Sequence, residues 1–351
     1  CSSDLAGPAA DLDGTPRDAK PDMGCYEFPG GRSVPYRFHA DASCPASVHN
    51  GVTWATAFIE ARDAVWIADD GDEVYIAEGE YLTSGAGARN HSYVLDDGVT
   101  VVGGFPSFGD AYANRDAALY PTILSGDTGI DDDTSDNAYN VMLAMSVSDV
   151  PLDGLLVSEG SAYGSGDNAY GGGLFASAAS LSISNCVLMN NDASSFGGAI
   201  YAIDTPMTLT GCAFSFNEAS IDGGAVYANN LSLTAVDCQF VNSSSNNNGG
   251  AIYGSDVVVT LKTSAFSGNE TNNNGGAIYL RADSWSMSFL SASDCSFDSN
   301  STDDSNGAAI CAYDVSMELT DCDFVSNSSN EKGGAVYINA NSLTSSLSAS
   351  G

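Results

Sequence analysis

A pair of glycines followed by two apolar residues returns at near-constant intervals through the second half of the chain. It reads Gly172-Gly173-Leu174-Phe175, Gly197-Gly198-Ala199-Ile200, Gly223-Gly224-Ala225-Val226, Gly249-Gly250-Ala251-Ile252, Gly275-Gly276-Ala277-Ile278 and Gly333-Gly334-Ala335-Val336. Gly307-Ala308-Ala309-Ile310 is a degenerate copy, and the first glycines are spaced 25, 26, 26, 26, 32 and 26 residues apart. A second signature, Cys-x-Phe-x-x-Asn, falls between them: Cys212, Phe214, Asn217; Cys295, Phe297, Asn300; Cys322, Phe324, Asn327. Cys186 with Leu188 and Asn191 nearly matches. Cys238 and Phe240 have their Asn one place early, at Asn242, and Ser264 replaces Cys in the copy with Phe266 and Asn269. A unit of this size cannot bury an apolar face alone, so its copies must stack.

The stretches between the signatures alternate: Met207-Thr208-Leu209-Thr210, Leu231-Ser232-Leu233-Thr234 and Val257-Val258-Val259-Thr260-Leu261. Alternation with β-branched residues is a strand pattern. Each unit therefore offers about three short strands separated by Asn, Ser and Gly turns. If one unit makes one turn of a solenoid, equivalent residues lie ~4.8 Å apart in neighbouring coils and like stacks on like. Tyr201, Tyr227, Tyr253, Tyr279 and Tyr337 then form one row, interrupted at Cys311. Phe214, Phe240, Phe266, Phe297 and Phe324 form an inward row. Asn217, Asn269, Asn300 and Asn327 form an amide ladder at a turn, as in other stacked β structures. The glycine pair supplies a positive φ or a close backbone approach.

The Gly-Gly-Ala-Ile/Val-Tyr and Phe-x-x-Asn residues resemble the repeats of the polymorphic outer membrane protein family over roughly residues 170–340. Those repeats are extracellular β-helical passengers of autotransporters linked to adhesion. Nothing in this sequence resembles an autotransporter's membrane barrel. The resemblance implies an all-β chain: a right-handed parallel β-helix, with the right hand taken from the resemblance.

Residues 36–165 read differently. Trp54 to Trp66 has helical spacing, with Trp54, Phe58, Ala61 and Val65 on one face and Thr53 as N-cap. Asp72 to Tyr81 reads as a strand and turn. A short helix over the first coil would cover an edge that otherwise invites pairing. With Val101 to Phe105, Arg115-Asp116, Thr122 to Asp127 and Leu152 to Leu155, this region resembles the start of secreted bacterial pectin-lyase-like β-helix proteins. The solenoid axis is expected from about residue 70 onward. Gly7 to Arg17 and Pro21 to Glu27 look like sequence that ends such domains, yet they come first. Three segments follow: a tail-like 1–35, a capping helix with irregular coils over 36–165, and regular repeats over 166–351. Two explanations fit the leading tail and a body that stops soon after a Gly-Gly strand. The chain is an excerpt of a tandem array, or the tail completes a neighbouring copy, a head-to-tail contact of the kind that builds filaments.

The formal charge is −35, from 45 Asp plus Glu against 10 Lys plus Arg, while only 16% of residues are charged. Bases are missing more than acids are added. That excludes a nucleic-acid partner, which needs clustered Lys and Arg, and adhesion to anionic membranes. A 43% hydrophobic share excludes wholesale disorder. No apolar run approaches the ~20 residues of a membrane span, and no signal peptide is visible. Residues 181–351 hold 17 acids and 3 bases, so the acid excess is greatest before the repeats.

Chemistry is sparse. A polysaccharide lyase needs a Lys or Arg base and often Ca²⁺, but Lys262, Arg281 and Lys332 occupy different repeat positions, and His39, His49 and His91 precede the repeats. Asp303-Asp304 and Asp321 with Asp323 sit in turns or beside Phe positions. No catalytic residue is assigned. The metal candidate is Asp127 to Asp136, where Asp127, Asp131, Asp132, Asp133 and Asp136 offer hard oxygens suited to Ca²⁺; a solvated acidic loop is the plainer reading. Asp11, Asp13 and Asp18 form a weaker version. No other cofactor is expected. Cys186, Cys212, Cys238, Cys295 and Cys322 share one stacked position, as buried free thiols or as coil-to-coil disulfides. Cys25 with Cys44 is a separate disulfide candidate, and Cys1 a lipidation candidate. Sequons occur at Asn90, Asn230, Asn242, Asn269, Asn300 and Asn327, the last four explained by ladder packing.

The expected function is an extracellular or cell-surface structural solenoid whose copies join head to tail into a fibre or surface layer. A surface adhesin or glycan-binding stalk is the alternative, and a polysaccharide lyase or hydrolase follows it.

Overall fold

The computed structural model describes residues 35–84, 88–130, 133–283, 288–303, 305–340 and 346–350. The tail-like segment 1–34, with Cys1, Asp11, Asp13, Asp18 and Cys25, lies outside the described residues, as do Asp131, Asp132 and Asp304.

The chain winds into a right-handed parallel β-solenoid of about ten turns. A regular coil carries three main strands and a fourth of two residues: Ile200–Ile203, Met207–Thr210, Ala213–Ser215 and Glu218–Ala219. Their successors stack into four parallel sheets. The first, called here the tyrosine sheet, has nine strands, from Tyr93–Val94 to Val336–Asn339. The second is the long sheet of eleven, from Arg37–Ala40 to Leu347–Ser350. The third is the phenylalanine sheet of nine, from Gly79–Leu82 to Asp323–Val325, and the fourth a short sheet of seven. Alternation fixes the inward set: Ile200, Ala202, Leu209, Phe214 and Ala219 are wholly buried, and the first four with their apolar equivalents form one continuous core.

Each corner turns on a single left-handed residue, where Asp, Asn and Gly are favoured. One corner uses Asp204, Asn230 and Asp256; the next uses Asn185, Gly211, Asp237, Thr263, Asp294 and Asp321. Along these corners an amide often faces an acid one coil away: Asn185 donates to Asp153, Asn190 to Glu159 and Asn230 to Asp204. Acids are thus carried at corners without stacking every carboxylate on another. Phe216 also takes a left-handed corner while exposed, and nothing in the structure explains it.

The two glycines of the repeat do different work. Gly249 has φ 67°, where a side chain is strained. Gly250 has ordinary φ, but a Cβ there would lie 2.2 Å from Gly276 O and 2.5 Å from Glu270 O. Gly250→Ala is therefore expected to push coils apart and cost about 1–3 kcal/mol; urea unfolding measures it. The register also corrects the phase of the first copy. Leu174 pairs with Ile200, and the left-handed glycine is Gly171, so the first spacing is 26, not 25. Three successive glycines hid the offset. The longer spacing before Gly307 comes chiefly from residues inserted between Arg281 and Phe289.

Two expectations about the beginning fail. The solenoid starts near residue 37, because Arg37–Ala40 already pairs with Glu73–Ala77. The helix expected over Trp54–Trp66 is broken into a 3-10 turn, Trp54–Thr56, and an α-helix, Ala61–Ile67. Between them Phe58 N donates to His39 O and Asp41 N to Phe58 O, so strand pairing overrides helical spacing. Thr53 caps no backbone N–H; its hydroxyl meets Thr56 Oγ1. Trp54 leaves the shared face and packs outside the long sheet on Phe105 and His39. Ala61, Ala64 and Val65 are buried where the helix covers the first coils. No helix among the described residues is long and apolar enough to cross a membrane.

Candidate functional site

The tyrosine row lies on the outer face of its sheet. Tyr201, Tyr227, Tyr253 and Tyr279 are in register, with ring centroids 5.2, 4.9 and 5.3 Å apart and planes within 18° of parallel. Cys311 takes the next rung and Tyr337 the one after. Tyr313, two residues along the same strand face, bridges the gap at 5.8 Å to Tyr279 and 5.9 Å to Tyr337. Phe175 and Tyr170 extend the stack at the other end. The ring faces are spent on one another, so solvent meets edges and hydroxyls. Burial pushes the Tyr201, Tyr227 and Tyr253 hydroxyls up to about 12. The row therefore offers a line of neutral phenols, and not flat platforms for a sugar ring.

The phenylalanine row is the inward counterpart. Phe214, Phe240, Phe266 and Phe297 are wholly buried and stack with Phe324 at 4.7 to 4.9 Å. Beside it the asparagines pair between coils. Asn269 Nδ2 donates to Asn300 Oδ1 at 2.9 Å and to Phe240 O at 2.9 Å, and Asn269 Oδ1 accepts from Ser243 N. Asn300 treats Asn327 and Phe266 O likewise, and Asn191 leans on Asn217. Asn242 is not in the ladder: it sits exposed at a left-handed corner, and Ser243 takes the inward slot, its hydroxyl without a hydrogen-bond partner. The sequons at Asn269 and Asn300 are fully buried, whereas Asn90, Asn230 and Asn242 are exposed.

A second polar row escaped the sequence reading. Asp222, Asn248, Asn274 and Asn306 are linked side chain to side chain just before each glycine pair; Asn248 donates to Asp222 Oδ1 and Asn274 to Asn248 Oδ1. The residue preceding each repeat glycine was the available signal.

Cys186, Cys212, Cys238, Cys295 and Cys322 line one corner as free thiols. Each Sγ points at a carbonyl two residues back, as Cys186 does to Ser184 O. Burial pushes the Cys186 and Cys311 thiols up to about 12 and Cys295 to about 11, so these are inert packing groups. Cys44 is also a free thiol.

The described arginines are occupied structurally. Arg115 pairs with Asp153 at 2.7 Å and also donates to Gly103 O. Arg62 donates to Thr83 O, and Arg281 pairs with Asp283. Lys262 ends a long-sheet strand and Lys332 lies in the turn before Gly333, so the structure does not bring these bases together. His39 is buried against Trp54, and burial lowers its pKa. One carboxyl pair stands out. Asp192 and Glu218 are register partners in the short sheet, and burial, then Glu218 and Glu159, push Asp192 up to about 6. The folded pKa is raised, so the ionised form is disfavoured in the native state. Stability should fall as pH rises from about 4 through 6. Asp192→Asn should stabilise the fold at pH 7 by about 1–3 kcal/mol and flatten that slope, as urea titrations at several pH values would show.

The Asp127–Asp136 loop closes on itself. Ala138 N donates to Gly126 O at 2.7 Å, Thr128 Oγ1 to Asp136 O at 2.8 Å and Ile130 N to Asp136 Oδ2 at 2.9 Å. Asp127 and Asp136 are half-buried at the neck. Asp133 is partly buried and turned to Ser135, whose hydrogen bonds lower its pKa. No group of three or more His, Cys, Asp or Glu is placed to hold a metal among the described residues.

Residues 263–281 match a Chlamydia polymorphic membrane protein repeat. No curated protein matches the chain. Among solved structures, a polygalacturonase from Erwinia carotovora ssp. carotovora covers 92% of this chain and 99% of its own at 9% identity and TM-score 0.38. An endo-xylogalacturonan hydrolase from Aspergillus tubingensis covers 89% and 95% at 11% identity and TM-score 0.31. The chain is a parallel β-solenoid of about ten turns.

Proposed function

We propose that the chain is a structural β-solenoid that serves outside the cell as a stiff rod, with copies joining end to end into a fibre or surface layer. The observation that carries this reading is the in-register stack. One residue type recurs inside, one at the corner and one outside, coil after coil. Rows of this kind give length and stiffness, because each coil rests on its neighbours. The bonds between coils are alike at every regular rung, so a coil of a second copy is a chemically matching partner. The repeat match supports placement at a cell surface. Light scattering after size exclusion tests it: masses should rise with concentration above the 36.0 kDa of one chain. A single 36.0 kDa species at every concentration overturns end-to-end assembly.

A second reading, a surface adhesin or glycan-binding stalk, is supported by the row of tyrosines on the outer face of its sheet, where Tyr201, Tyr227 and Tyr279 are partly buried. A glycan array should then show binding that Tyr227→Phe weakens. Polysaccharide cleavage would rest on Asp192 and Glu218, and no described cation lies among the groups that shift Asp192.

A further inference from the structure

We propose that the outer face of the tyrosine sheet is a docking surface for a second copy of this chain, so that two solenoids pair side by side. This lateral pairing is separate from end-to-end joining and does not depend on it.

Charge sets the face apart. Among the described strands, those of the long, phenylalanine and short sheets each include three acids, such as Glu318, Asp298 and Glu218. The nine strands of the tyrosine sheet include none. Their one charged residue, Arg281, is paired with Asp283. Acids return at the corner where these strands end, at Asp204, Asp256 and Asp314. The chain has a formal charge of −35, so two copies repel wherever carboxylates meet. On this sheet face they can meet without setting acid against acid.

The second observation is the apolar content of the same face. One register row runs from Val94 through Leu143, Phe175 and Tyr201 into the tyrosines. Met145 and Ile203 lie two residues further along their strands, on the same side. Val94 is 49% exposed and Met145 52%. A solvated sheet face is ordinarily polar. A continuous apolar and aromatic strip with an acidic rim has the anatomy of an interface.

Size and chemistry indicate the occupant. Nine strands, most of four residues, make a face of about 40 by 13 Å. A pair then buries about 1,000 Å² in total, the lower bound for a specific interface, and its dissociation constant should be on the order of 10 µM. An identical face brings the same rung spacing, so a contact made at one rung is repeated at the next. Phenol hydroxyls both donate and accept, so the tyrosine edges of two copies suit each other. A sugar ring finds no aromatic platform, because the ring faces already cover one another.

The test is sedimentation of the full chain over about 1–200 µM, a span that brackets that constant, in about 0.15 M NaCl to screen the net charge. The expected result is a shift from 36.0 kDa to twice that mass. Asn229 ends the middle strand of the sheet, and Asn229→Glu brings a carboxylate from each copy into the pair. It should weaken pairing at least tenfold. Thr208→Glu, exposed on the long sheet, should leave pairing intact. Circular dichroism checks that each variant is folded, and Met145→Glu, exposed on the same face, replaces Asn229→Glu if that variant does not fold. A dimer that stops at two chains and is lost in Asn229→Glu supports lateral pairing while contradicting end-to-end joining. Masses that grow without limit, equally in wild type and Asn229→Glu, overturn lateral pairing and leave end-to-end joining standing. A single 36.0 kDa species throughout overturns it as well. A dimer that survives both Asn229→Glu and Met145→Glu unchanged overturns it in favour of another surface.

Discussion

Replacing Phe240 by alanine is expected to destabilise the chain by about 4 kcal/mol, within the range for deleting a buried aromatic ring. The ring is wholly buried and lies 4.7 Å from both Phe214 and Phe266, with planes within 4° of parallel. Its removal leaves a void between two rings that are themselves held in place from above and below, so neither can easily collapse into it. The stack makes the effect larger than transfer alone, since each aromatic contact adds ~0.5–1.5 kcal/mol. Phe324 supplies the comparison. It is half-buried and stacks on one described ring, Phe297. Phe324→Ala should cost about half as much on the same grounds. Urea unfolding of the two variants measures both. Equal costs would mean that the rings act as separate side chains and not as a ladder.

Asn269→Ala should cost about 2–5 kcal/mol. The side chain is buried, accepts from Ser243 N, and donates to Phe240 O and Asn300 Oδ1. Alanine leaves the Ser243 N–H without its acceptor and removes a donor from Phe240 O. Each buried polar group left bare costs ~1–3 kcal/mol. The chain contains the reciprocal experiment. Ser243 occupies the same slot one coil earlier, and its hydroxyl has no partner. Ser243→Asn should complete the ladder between Asn217 and Asn269 and stabilise the fold by about 1 kcal/mol. A destabilising Ser243→Asn together with a neutral Asn269→Ala would show that the row is incidental to stability.

The regular half of the fold is legible in the sequence because stacking demands the same residue at the same phase in every coil. Gly249-Gly250 and Phe266 with Asn269 mark that phase directly. What stays hidden depends on single substitutions or on tertiary pairing. Asn242 looks like a ladder member displaced by one residue, but in a strand one residue changes the face, and the slot passes to Ser243. Tyr313 fills the break at Cys311 from a position two residues away, which no repeat alignment shows. The Trp54–Trp66 stretch has good helical spacing, yet the pairing of Phe58 with the first strand divides it.

Each repeat forms one coil, in register along the axis. Ser182 and Glu318 stand on the outer face of the long sheet, both exposed, linked rung by rung through Thr208, Thr234, Thr260 and Ser291. Five rungs at ~4.8 Å place their backbones ~24 Å apart, although the sequence between them is long. Spin labels introduced at these two positions through non-cysteine chemistry, read by pulsed dipolar spectroscopy, measure that separation. A narrow distribution centred near ~24 Å, widened only by the label arms, is the expected result. A broad distribution, or a centre displaced by several rungs, would contradict the stacked register on which the ladders, the proposed rod and the expected mutational costs all depend.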